Sequence, residues 1–304
     1  VFSKKIGFEY DLKIVFSIVF KRKVMKKIYI IIAIIFFSFS YGEEYFVKGR
    51  IMGGIGNQLF QVAAASSLAW ENNATPIFPG ISTKSNAYKH ILFRCDISNH
   101  NANIGWHWYE PSFAYHEIPY YQNMDIYGYF QSEKYFFRHK ERIIELFQPN
   151  SEDLKYMKHK YSWLINYPHT VGIQIRYYLE ECAGLPFFIQ YGKDYLEKSM
   201  SLFPKQSLFV VSSNNIKFAK QSIPNWAKNV IFLEGEPDYI DFYLLSFCKN
   251  NIITNSSFGW WAAYLNRNPD KIVIRPKIWL KGFPDQDRCP DNWVVIEAET
   301  EKLL

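Results

Sequence analysis

The feature that most restricts the fold is an alternation in the second half of the chain. Short apolar runs at 170–176, 207–212, 230–233, 251–254 and 271–275 are interleaved with helical stretches at 194–202, 216–221 and 238–248. Consecutive parallel strands need long crossovers, which helices supply, so the pattern predicts an α/β fold with a parallel sheet covered on both faces. Such sheets hold ligands beyond the carboxyl ends of their strands, and the second half therefore reads as a nucleotide-binding domain. Earlier in the chain, 45–52 reads as a strand, 53–57 as a tight loop and 58–71 as a helix. The stretch from 75 to 165 is rich in Tyr, His, Trp and Asn, and a boundary is expected at 166–169.

Composition narrows the class. Hydrophobic residues make up 48% and charged residues 21%, which suits a large packed core and not a disordered chain. Aromatics reach 19%. They suit flat faces for sugar rings, but core packing explains them first. The formal charge is +6, yet Lys21, Arg22, Lys23, Lys26 and Lys27 concentrate most of it beside an apolar run. The rest is near neutral, which argues against a nucleic-acid partner. Cys95, Cys182, Cys248 and Cys289 lie far apart with no paired spacing, so a metal site is not expected, and disulfides and buried thiols both stay open.

The apolar run 28–39, IYIIIAIIFFSF, follows that basic cluster and precedes Ser40, Gly42 and Glu43. It reads as a single-pass anchor or as a signal cleaved before Glu43, and it is shorter than the roughly 20 residues that span a bilayer. The start is read as Val1 or as Met25, the latter making 1–24 an upstream extension. As an anchor, the run predicts a cytoplasmic N-terminus and the bulk of the chain across the membrane, in a Golgi-type or bacterial-envelope setting.

Three constellations carry chemistry. Gly53-Gly54-Ile55-Gly56-Asn57-Gln58 is a glycine loop at a helix start, where backbone amides can approach an anion, although a tight turn gives the same signal. Val171-Gly172-Ile173-Gln174-Ile175-Arg176 ends a buried strand on an Arg suited either to a diphosphate or to a surface ion pair. Asn255-Ser256-Ser257-Phe258 opens an aromatic helix after another strand, as a phosphate site or as an ordinary helix cap. Asn73 and Asn255 also begin glycosylation sequons.

In order, MGGIGNQLFQVAAA, YGYFQSEKYF, VGIQIR, DYIDFYLLSFCKNNIITNSSFGWWAAYLN and NPDKIVIRPKIWL resemble the motifs of the alpha-1,2-fucosyltransferases of glycosyltransferase family 11. The resemblance implies two facing Rossmann-like domains of GT-B-like type. The expected division is 1–42 as extension and signal or anchor, 43–165 as the acceptor-side domain and 166–304 as the GDP-sugar-binding domain. It also implies metal-independent, inverting transfer of fucose from GDP-fucose, with no other cofactor, to a galactose-containing glycan. Arg176 is the implied catalytic cation. Gly54, Gly56, Asn57, Gln174, Asn214, Asn255, Ser256, Ser257 and Phe258 are the implied donor-binding positions.

The chain departs from the family pattern at two places. Gln174 stands where the family has His, and Tyr177 where it has a second Arg, with the following Gly-Asp pair missing. Asn214 stands where an acidic residue is common, so a reader of guanine N–H groups is weakened there. These departures keep open a degenerate sugar- or nucleotide-binding module, or another acceptor or donor. Glu180, Glu181 and Asp194 are candidate bases. Trp106, His107, Trp108, His116 and Glu117 form a candidate sugar-stacking surface.

Overall fold

The computed structural model describes residues 45–98, 104–178 and 185–300. The expected anchor at 28–39, together with Glu180, Glu181 and Cys182, lies outside the described residues. Among those described, no helix is long and apolar enough to cross a membrane.

Strand β1 (Phe46–Gly49) leads into helix α1 (Ile55–Glu71) and strand β2 (Thr75–Ile77). An alanine-rich middle, Ala63, Ala64, Ala65 and Ala69, lets α1 lie close on the sheet. The helix ends at Asn72 and Asn73, where Asn73 takes a φ of 52° and the Ala74 N–H returns to the Ala69 carbonyl. Strands β3 (Trp106–Tyr109) and β4 (Met124–Tyr127), which like β2 were not anticipated from the sequence, complete a parallel sheet ordered β2-β1-β4-β3.

Helices α2 (Lys140–Leu146), α3 (Ser151–Lys160) and α4 (Ser162–Ile165) carry the chain to β5 (Thr170–Ile175), which is buried throughout. There follow α5 (Lys193–Met200), β6 (Leu208–Ser213), α6 (Ile216–Ser222), β7 (Val230–Phe232), α7 (Asp238–Phe247), β8 (Asn250–Ile253), α8 (Ser257–Leu265), β9 (Val273–Pro276) and β10 (Val294–Ile296). This second sheet is also parallel, ordered β10-β9-β8-β5-β6-β7. The expected α/β class with parallel sheets is thus what the chain adopts.

Strand order sets where a crevice forms. From β5 the chain builds outward through β6 and β7, then returns to the other side of β5 with β8, β9 and β10. The connections diverge between β5 and β8 and leave a gap at their carboxyl ends. In the first sheet the same divergence falls between β1 and β4.

The aromatic content is spent largely on packing. Phe60 of α1 sits 4.5 Å from the Trp260 ring and 5.0 Å from the Trp261 ring of α8, centroid to centroid. Phe136 stacks on Trp261 at 5.3 Å, and Phe147 meets it edge-on at 5.2 Å. One helix from each sheet therefore shares a single buried aromatic cluster. Cys95, Cys248 and Cys289 are buried free thiols, and burial pushes each up to about 12.

Candidate active site

The crevices of both sheets open on one cleft of about 1050 Å³, lined by loops that follow β1, β3, β4, β5, β6, β7, β8 and β9. At its centre two helix N-termini meet. In α1 the Gly54 carbonyl accepts from the N–H groups of Asn57 and Gln58, which starts the helix at Ile55, earlier than the sequence pattern suggested. Asn57 therefore belongs to the first turn. In α8, Ser256 precedes the helix without a side-chain cap bond, and its carbonyl accepts from the Trp260 N–H. Neither first turn holds an acidic residue, so the positive ends of both helices face the cleft unneutralised by their own side chains.

Gly56 makes this convergence possible. A Cβ there would lie 2.4 Å from the Ser257 carbonyl carbon and 2.5 Å from the Phe258 nitrogen. Only a residue without a side chain lets the two helix ends come so close.

Arg176, Gly54, Gly56, Asn57, Gln174, Asn214, Asn255, Ser256, Ser257 and Phe258 all line the cleft. They take different parts in it. Arg176 follows β5; its N–H donates to Thr254 Oγ1 at 2.9 Å and its carbonyl accepts from Gln190 Nε2 at 3.0 Å. This ties it across the β5–β8 gap. Its guanidinium carbon lies 5.8 Å from the Tyr178 ring centroid. Gln174 is buried beneath α8, where its Oε1 accepts from Thr254 Oγ1 at 3.3 Å and a Cβ on Gly259 would come within 2.8 Å of that same oxygen.

Asn214 is engaged at both ends of its amide: Oδ1 accepts from the Tyr177 N–H and Nδ2 donates to the Tyr177 carbonyl, each at 2.8 Å. It straps the loop after β5 to the loop after β6. Asn255 is 2% exposed and donates to the carbonyls of Ile189 and Trp279 at 2.9 and 3.0 Å. Its sequon is thus sealed in the fold, whereas that of Asn73 lies on an exposed turn.

Sequence reasoning missed Asp241. It sits in the first turn of α7, lines the cleft and accepts from Ser212 Oγ at 2.9 Å. Its Oδ1 is buried and has no partner among the described residues. Burial, with Glu236 and Asp238 nearby, pushes its carboxyl up to about 7 despite the Ser212 hydroxyl. The available signal was a carboxylate inside an otherwise apolar helical run, three and four residues before Leu244 and Leu245. Glu236 also lines the cleft but is committed to Lys160, Tyr156 and Tyr161.

The structure does not bring Asp194 to the cleft; it pairs with Lys198 at 2.8 Å and accepts from the Glu299 N–H. Nor does it bring there the surface expected from Trp106, His107, Trp108, His116 and Glu117. Trp106 packs on Tyr121, His107 bonds Asp125 and Trp108 stacks near Phe130. The aromatic wall of the cleft is made instead by Phe113, Tyr129, Phe187 and Phe283, with Phe113 and Phe283 meeting edge-on at 5.3 Å.

Comparison with known proteins places this cleft in a lineage. The chain is 31% identical over 179 residues to the O-antigen biosynthesis glycosyltransferase WbnK of Escherichia coli, covering 56% of this chain and 59% of that one. It is 27% identical over 289 residues to an Escherichia coli alpha-1,2-colitosyltransferase, covering 83% and 99%. With mouse galactoside alpha-(1,2)-fucosyltransferase 1 it shares 32% identity over 150 residues, covering 45% and 40%. The chain thus spans under two thirds of the first and third of these relatives and nearly all of the second. Residues 82–297 match the profile of Glycosyl transferase family 11, a span that holds Arg176 and the Ser256–Ser257 turn and leaves out the glycine loop at 53–57. By that match, the chain belongs to glycosyl transferase family 11.

Proposed function

We propose that this chain transfers a fucosyl group from GDP-fucose to a galactose-containing glycan, with inversion and without a metal. The observation that carries the proposal is the meeting of two helix N-termini and Arg176 in one cleft. Backbone N–H groups and a guanidinium lining the same cleft suit a diphosphate, and their pull strengthens as charge builds on it. In the reaction the acceptor hydroxyl oxygen bonds to the anomeric carbon while the bond from that carbon to the diphosphate breaks. The electron pair leaves with GDP, and the hydroxyl proton passes to a base or to water. Stabilising the departing diphosphate is the part these residues can perform.

Within the cleft, the bare oxygen of Asp241 supplies what Asn214, occupied with Tyr177, does not. It suits the ring and amino N–H groups of guanine. The wall of Phe113, Tyr129, Phe187 and Phe283 suits the apolar face or methyl group of a deoxy sugar. A second donor reading follows from the colitosyltransferase relative, matched over 99% of its length, because colitose is also a deoxyhexose.

The test incubates the full chain with GDP-fucose and a panel of galactose-terminated acceptors, following GDP release and acceptor mass with and without a chelator. Product formation that survives chelation and is lost in Arg176→Ala supports the proposal. Absence of both GDP binding and product sinks it, and binding without turnover turns the reading to a degenerate module. Placement of the catalytic part across a membrane, expected from 28–39, belongs to the same proposal and is read by protease protection in intact membranes.

A further inference from the structure

Asn57 lines the cleft at the first turn of α1, and an amide side chain can meet a ligand with either its oxygen or its nitrogen. A buried chain of side chains decides which. Arg288 is 1% exposed; its Nε donates to Asp285 Oδ1 at 3.3 Å and its Nη1 donates to Gln131 Oε1. A guanidinium has only donors, so Gln131 must turn its oxygen toward Arg288 and its nitrogen away. That nitrogen donates to Asn57 Oδ1 at 2.8 Å. The Asn57 oxygen is thereby used, and the donor nitrogen is left for the cleft.

Two backbone features hold this arrangement. Phe130 takes a φ of 51°, a conformation unfavourable for a bulky residue, and this turn delivers Gln131 to α1. The Glu110 carboxylate steadies it by accepting from the N–H groups of Tyr129 at 2.7 Å and Phe130 at 3.0 Å. On the other side, Gly53 has a φ of 75°, and a Cβ there would crowd the Asn57 nitrogen at 2.8 Å.

We infer that Arg288 and Gln131 are positioning residues that fix the polarity of Asn57, so that it meets its ligand as a donor and selects an anionic oxygen, a phosphate of a nucleoside diphosphate. The inference rests on the reading of the cleft as a GDP-sugar site. It assigns work to Arg288, which lies outside every motif recognised in the sequence and does not itself line the cleft.

The experiment measures GDP and guanosine affinities by calorimetry, with thermal unfolding as a check on folding. Gln131→Glu keeps size and satisfies Arg288, but it offers Asn57 only acceptors. Asn57 must then turn its nitrogen inward and show its oxygen to the phosphate. GDP affinity is expected to fall about 10- to 100-fold, with guanosine affinity unchanged. Arg288→Met adds no negative charge near the ligand and so separates lost polarity from simple repulsion. It is expected to lose GDP affinity severalfold and to recover in Arg288→Lys, which also only donates. GDP binding by Gln131→Glu within twofold of the unaltered protein, or parallel loss of GDP and guanosine, overturns the inference. Failure of the unaltered protein to bind GDP overturns the reading of the cleft itself.

Discussion

Gly56→Ala tests whether the two helix ends need the closeness seen here. The new methyl carbon would fall 2.4 Å from the Ser257 carbonyl carbon, about 1 Å short of ordinary van der Waals contact. The atoms it meets are mainly backbone, at Ser257 C and Phe258 N, so no side chain can swing aside to relieve the clash. The first turn of α8 must move by about that distance. Forcing extra atoms into packed structure costs about 1–3 kcal/mol, and for a protein of this size each kcal/mol lowers Tm by about 2–4 °C. A fall of about 2–12 °C is therefore expected in thermal unfolding. Displaced N–H groups also lose charge-assisted bonds to a diphosphate, each of about 1.5–3 kcal/mol, so GDP affinity should fall by at least tenfold. Gly54→Ala is the internal control. Its φ is −70° and a Cβ there would meet nothing within 4 Å, so it should leave the unfolding temperature unchanged. An equal fall in Tm for the two variants would refute the reasoning.

Three further outcomes follow from the cleft. Raised to about 7, the Asp241 carboxyl is protonated in the empty cleft at mildly acidic pH. Donor kcat/KM should therefore fall as pH drops below about 7, and Asp241→Asn should flatten that limb. By the same shift, its contribution to stability is full below its unfolded value near 4 and lost as pH rises through about 7. The apo Asp241→Asn variant should consequently gain stability over the unaltered protein at pH 8 and not at pH 4, as measured by denaturant unfolding. Asn214→Asp, which restores the residue type common in the family, should lower turnover and not raise it. The new oxygen would face the Tyr177 carbonyl that Nδ2 now bonds at 2.8 Å and loosen the loop that carries Arg176, so a gain in kcat/KM would contradict this account.

Five strands of the second sheet were legible because its inner strands are buried and written as continuous apolar runs, VGIQI and LFVV among them, whereas the exposed edge strand β10 was not anticipated. Of the first sheet only β1 was legible. WHWY and MDIY are short, and β3 at the sheet edge leaves aromatic side chains in solvent, so no period marks it as a strand. Candidate residues next to a strand end or helix start were found because local chemistry points to them. Asp241, Gln131 and Arg288 were not, since their places depend on Ser212, Asn57 and one another, partners from 29 to 157 residues away. Asn214 was visible and its task was not: nothing in the sequence shows that the Tyr177 backbone takes both ends of its amide.

The Phe60, Trp260 and Trp261 cluster bears on how a ligand is chosen. Because a single aromatic knot grips α1 and α8 just behind their cleft-facing ends, those ends cannot swing apart like jaws without breaking the knot. The gap between them is a fixed gauge, set when the chain folds. Under the proposed function, a sugar nucleotide would meet groups already in place and would not have to draw the two ends together.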